Sequence, residues 1–141
     1  MRSVAVLLLA LTAHAQAPAC KAVGTMSQLM VDVIYPTSDA IFYIKRTPAR
    51  NEVDWEHARQ NALTLAESAN LLMMPARDNE KWMADAKLLL EAGQAAYKAA
   101  VANDMSAIVA LNRSLYDACV TCHVDYRPNY RRRPMAADQQ K

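Results

Sequence analysis

Apolar residues recur every three or four positions along most of this chain, and no stretch alternates in the manner of a strand. Val23, Met26, Met30, Val33 and Ile34 mark one face of a first helix over residues 22–34. Pro36 has no amide donor and is expected to kink or end that helix, with Ser38 capping a continuation to Ile44. Residues 45–52, with Pro48 and Asn51, read as a connection. A second helix is predicted over about 52–74, capped by Asn51 with Asp54 in its first turn and closed by Pro75. Its inward face carries Trp55, Ala58, Ala62, Leu65, Ala66, Ala69, Leu72 and Met73. Asp78 or Asn79 caps a third helix to about Ala102, with Trp82, Ala86, Leu89, Gly93, Tyr97 and Ala100 inward. Asn103 or Asp104 caps a fourth that ends near Tyr126, before Pro128, with Ile108, Leu111, Leu115, Ala118, Cys119 and Cys122 on its apolar face. Four long amphipathic helices with short joins predict an all-α domain, an antiparallel up-down-up-down four-helix bundle.

Composition sharpens this picture. The 141 residues fit one domain, and only 2 glycines leave little for the hairpin turns of a β fold. A 53% hydrophobic content excludes a disordered or collagen-like chain. The formal charge of +2 gives nucleic-acid binding no support. Residues 1–15 have the layout of an export signal: Arg2, an apolar run from Val4 to Leu11 too short to span a bilayer, and the small-residue site Ala13-His14-Ala15. The expected product is an exported protein over 16–141 with no membrane span. Cys20, just past the signal, reads as a free thiol or a lipidation site. The balance of charge is uneven, because residues 127–141 form a basic tail whereas the body is acidic. Arg131, Arg132 and Arg133 read as a solvated run or as a docking site for an acidic partner.

Cys119-Val120-Thr121-Cys122-His123 carries the chemistry. C-x-x-C-H is the attachment pattern of haem c. Thiols one helical turn apart reach the two vinyl groups on a haem edge, and the next imidazole supplies the proximal ligand. Such attachment belongs to exported proteins, so the leader and the motif agree independently. Three other uses of the pair compete. A redox dithiol would follow a strand, which this pattern lacks. Zinc would need further ligands, and the remaining candidates after the leader are His57, read as a surface residue, and Cys20. A structural disulfide suits an oxidising compartment.

The position of the motif late in a fourth helix brings in a family. The run Tyr116 to Arg127, Y-D-A-C-V-T-C-H-V-D-Y-R, resembles class II c-type cytochromes, the cytochrome c prime family. The stretches M-V-D-V-I-Y-P-T-S-D from Met30 and L-A-E-S-A-N-L-L-M-M-P from Leu65 extend the likeness over nearly all of the mature chain. The resemblance implies one covalent haem c held by Cys119 and Cys122, with His123 as proximal iron ligand. It places the distal residue in helix one, where Met30 stands, and puts Arg127 beside the proximal side of the haem. Members with Met at the distal position are six-coordinate, whereas five-coordinate members leave the iron open to gases. Bundle topology brings Met26, Met73, Met74, Trp82 and Met83 to the same end, so Met26 and the Met73–Met74 pair remain alternative ligands. A helical methionine is more often core filler than ligand. Trp55 and Trp82 read as core anchors, and Arg127 serves equally as a solvated helix-end cation. No nucleophile–base constellation appears. The expected function is a periplasmic carrier of single electrons between redox partner proteins, not an enzyme, with a gas-binding or gas-sensing haem protein as the alternative. The resemblance also admits a homodimer.

Overall fold

A computed structural model describes residues 21–74, 79–127 and 129. Five sequence-based expectations lie outside them: the leader over 1–15, Cys20, Pro75 as a helix stop, Asp78 as a cap, and the arginine run of the tail. Every described element is helical. An N-terminal segment joins α1 (Met26–Gln28), a π-helical stretch (Leu29–Ile34) and α2 (Tyr35–Phe42). It is followed by α3 (Glu52–Leu72), α4 (Glu80–Val101), α5 (Met105–Ala110) and α6 (Asn112–Tyr126). Since α5 runs directly into α6, four helical segments pack together. No helix among the described residues is long and apolar enough to cross a membrane.

The first helix starts at Met26, not at Ala22, because Thr25 and Gln28 close a capping box. The Gln28 amide donates to Thr25 Oγ1 at 3.2 Å, and the Thr25 amide donates to Gln28 Oε1 at 2.9 Å. Val23, expected inward, precedes this cap and is fully exposed. Pro36 does not end the helix. Upstream of it the turn widens, and the Tyr35 amide donates to the Met30 carbonyl five residues back. A wider turn relieves the clash between a proline ring and the preceding turn's carbonyl, so the chain continues helically. Ser38 is therefore inside α2 and caps nothing; its hydroxyl donates to the Tyr35 carbonyl at 3.0 Å. The Thr37 hydroxyl likewise bonds back to the preceding turn, donating to the Val33 carbonyl at 2.7 Å.

The other caps follow the sequence. Asn51 Oδ1 accepts from the Asp54 amide at 2.9 Å, Asn79 Oδ1 from the Lys81 amide at 2.9 Å, and Asp104 Oδ1 from the Ala107 amide at 2.9 Å. Asn103, at φ 53°, makes the left-handed turn between α4 and α5.

The core forms mainly between α3 and α4 through short side chains. Ala62, Leu65, Ala66 and Ala69 of α3 meet Ala86, Leu89, Ala96 and Ala100 of α4, all buried. Small residues let the two backbones approach closely at Gly93, where an added Cβ would lie 2.7 Å from Ala66 Cα. Tyr97, expected inward on this face, is on the outer side at 36% exposure, and Ala96 takes the buried place. The helix ends are tied in pairs. Trp82 Nε1 at the start of α4 donates to the Leu72 carbonyl at the end of α3, at 2.6 Å. Lys81 at the start of α4 pairs with Asp125 near the end of α6, at 2.5 Å. At the far end, Arg59 early in α3 reaches Asn103 just past α4, at 3.3 Å. Trp82→Phe removes the donor from a buried carbonyl. It should cost about 1–3 kcal/mol of unfolding free energy, measurable by urea unfolding followed by circular dichroism.

Candidate functional site

The N-terminal segment packs chiefly on α3, and α6 packs chiefly on α4. These two outer segments leave a cleft of about 790 Å³ between them. A volume of this order falls in the range of roughly 300–1,000 Å³ typical of small-molecule and cofactor sites.

Cys119, Cys122 and His123 line one wall of the cleft, followed along α6 by Tyr126 and Arg127. They share a wall because positions three and four apart in a helix lie on one face. Both cysteines are free thiols, partly buried, with no disulfide between them. Met26, Met30, Ile34 and Tyr35 of the N-terminal segment contribute the other lining, and Trp82 joins from α4. The Trp82 ring meets the Tyr126 ring edge-on, with centroids 4.8 Å apart, so this end of the cleft has a rigid aromatic wall. A smaller cavity of about 40 Å³ continues beneath, bounded by Met30, Asp85, Cys119, Cys122 and His123 among others.

The electrostatics of the α6 wall follow from burial. Desolvation pushes the Cys119 thiol up from its ordinary value. Cys122 is pushed up to about 11, first by burial and then by the Asp85 carboxylate, Cys119 and Asp125, with the Lys81 ammonium pulling the other way. His123 is held below its ordinary value by burial and then by the Arg127 guanidinium. Burial thus favours the protonated form of both thiols and the neutral form of the imidazole. A neutral imidazole is the form that binds a metal. The Arg127 amide donates to the His123 carbonyl at 3.1 Å and ends α6.

All five residues singled out from sequence, Met30, Cys119, Cys122, His123 and Arg127, are brought to one cleft. Met26 and Trp82 join them, whereas Met73, Met74 and Met83 are not among the residues lining it. Met73 packs against the core, and Met83 is exposed. His57 is on the surface. Sequence reasoning missed Asp85, a buried carboxylate at the floor of the site.

Compared with known proteins, the chain matches no family model, no curated protein and no solved structure. The chemistry of the cleft stands on its own residues.

Among the described residues no three His, Cys, Asp or Glu side chains gather into a group able to hold a bare metal ion. A macrocycle that carries its own equatorial metal ligands makes a smaller demand. It needs an apolar slot, a means of attachment and one or two axial donors. The residues present fit a haem on each count: a largely apolar cleft, two free thiols one turn apart, an adjacent imidazole, and a thioether on another element.

Proposed function

We propose that this chain is an exported c-type cytochrome, a periplasmic carrier of single electrons with a covalently attached haem. The reading takes the fold as an antiparallel up-down-up-down bundle of the cytochrome c prime type. The tied helix ends, with the start of α4 beside the ends of both α3 and α6, support it. The observation that carries the functional reading is the placement of Met30 in the same cleft as Cys119, Cys122 and His123, contributed from a different element.

When bound, haem supplies a ferric–ferrous couple that takes up and releases one electron. Cys119 and Cys122 would hold it through two thioether bonds, each made by adding S–H across a vinyl double bond. His123 would be the proximal ligand, in the neutral form that its burial favours. Met30 would be the distal ligand; a thioether is a soft donor that favours the reduced state. Arg127, at the cleft's edge, has donors suited to a propionate. Trp82 and Tyr126 close one end of the slot against water. The partners on this reading are other redox proteins, met at the exposed edge of the cleft.

The oxidised and reduced absorption spectra of the exported protein test the proposal. A low-spin spectrum with a sulfur-to-iron charge-transfer band is expected. A high-spin spectrum with ready carbon monoxide binding would instead favour a five-coordinate gas-binding protein. In Met30→Ala the charge-transfer band should vanish and carbon monoxide should bind the reduced form. An unchanged spectrum in that variant would transfer the role to Met26, which lines the same cleft.

A further inference from the structure

Asp85 is the most deeply buried charged residue near the cleft, with 5% of its surface exposed. Burying a carboxylate is costly unless a partner compensates it. Its partner is Lys81 one turn earlier on α4, with Nζ 3.4 Å from Asp85 Oδ2. That ammonium is shared, since Lys81 Nζ also lies 2.5 Å from Asp125 Oδ2 on α6. Two carboxylates and one ammonium therefore form a chain from α4 to α6 that carries a net charge of −1. The three members differ in access to water. Lys81 keeps 55% of its side chain exposed and Asp125 35%, against 6% for Asp85. Solvent screens the outer two far more than the inner one.

Asp85 bounds the small cavity beneath the cleft together with Cys119, Cys122, His123 and Met30. Its charge thus enters the same low-dielectric pocket as both proposed axial ligands. Asp125 lies two positions beyond His123 in the sequence, so the same ion chain fastens the end of α6 to α4 at the level of the site. Asp85 does not line the open cleft and bounds only the small cavity beneath it, so a surface role does not account for the buried member.

We infer that the Lys81–Asp85–Asp125 chain sets the reduction potential of the site, with Asp85 as the charge that holds it down. The inference rests on the haem reading above. A fixed negative charge in a poorly screened pocket favours the form with the higher positive charge, which is the oxidised one. Lys81 offsets that charge, and its loss leaves the carboxylates uncompensated. Asp85 is a positioning residue in this scheme. It donates nothing to the iron and acts through the field at the pocket.

The test is the midpoint potential of the exported holoprotein, titrated with dithionite and ferricyanide. Each cycle adds or removes one electron and makes or breaks no bond. In Asp85→Asn, which keeps the side chain's size, the midpoint should rise above the unaltered protein's. In Lys81→Met, a change at a half-exposed site, it should fall. Opposite signs are the signature, because a structural disturbance of α4 would move both variants in the same direction. Equal midpoints, or shifts of the same sign, overturn the inference while leaving the haem reading intact. If Asp85→Asn fails to fold, Asp125→Asn replaces it and should also raise the midpoint, by less. Absence of covalent haem from the unaltered exported protein overturns both proposals together.

Discussion

In a Cys119→Ala/Cys122→Ala variant, covalent haem staining on a denaturing gel should fall from full intensity to none. The two thiols share the α6 wall of the cleft and are free, so both are placed to react with one planar group. Each single variant removes one thioether and should keep a stainable band of reduced intensity. Loss of both leaves only axial ligation and contact with the walls, which detergent and heat abolish. The double variant also bears on the competing uses of a C-x-x-C pair. If the pair were only a structural disulfide, the unaltered protein would show no stain, and the variant would differ from it in stability alone. Persistence of stain in the double variant would show that attachment runs through some other residue.

The largest expected loss of stability comes from Gly93. A Cβ at this position would lie 2.7 Å from Ala66 Cα and 2.8 Å from its amide nitrogen, both backbone atoms that cannot rotate aside. Alanine would gain about 1 kcal/mol in helix propensity against this clash. Valine gains less and adds two more carbons, so α3 and α4 must separate along much of their contact. Overpacking of this kind costs about 1–3 kcal/mol, and occasionally more. Gly93→Val should fall at the upper end, with a clearly lower midpoint in urea, and Gly93→Ala should fall between it and the unaltered chain. An unchanged midpoint for Gly93→Val would mean that the two helices are not in close contact there.

The helical class and most helix boundaries could be read in advance because capping and spacing are local. Asn51, Asn79 and Asp104 each use their own side chain within the next three residues, as the sequence suggests. The start of the first helix was less legible. The apolar spacing from Val23 onward ignores a capping box that only Thr25 and Gln28 together can close. The sequence predicts a kink or an end at Pro36 because a regular α-helix offers proline no place, but a wider turn does. The members of the cleft were visible as a motif plus a methionine, since C-x-x-C-H fixes one wall and topology limits the other. Asp85 was hidden for a different reason. Lys81 and Asp85 are four apart, the ordinary spacing of a solvated helical pair. Yet Asp85 is three residues past Trp82 and next to Ala86, inside the arc that the apolar positions define. A charged residue inside such an arc is the signal that was available.

The seam of small residues between α3 and α4 also divides the molecule mechanically. Close backbone contact at Gly93 and Ala66 makes those two helices a stiff spine, with little room for one to slide past the other. The N-terminal segment is built in the opposite way: short, interrupted by a widened turn and a proline, and separated from α6 by the cleft. It is the more irregular of the two walls, pinned to the start of α6 where Asn112 Nδ2 donates to the Phe42 carbonyl at 3.2 Å. On the proposed reading, a large planar group held against α6 would be accommodated between that irregular wall and α6, with the spine left closed. The thiols would hold the group from a regular helix, and Met30 would face it from the stretch where the helix widens.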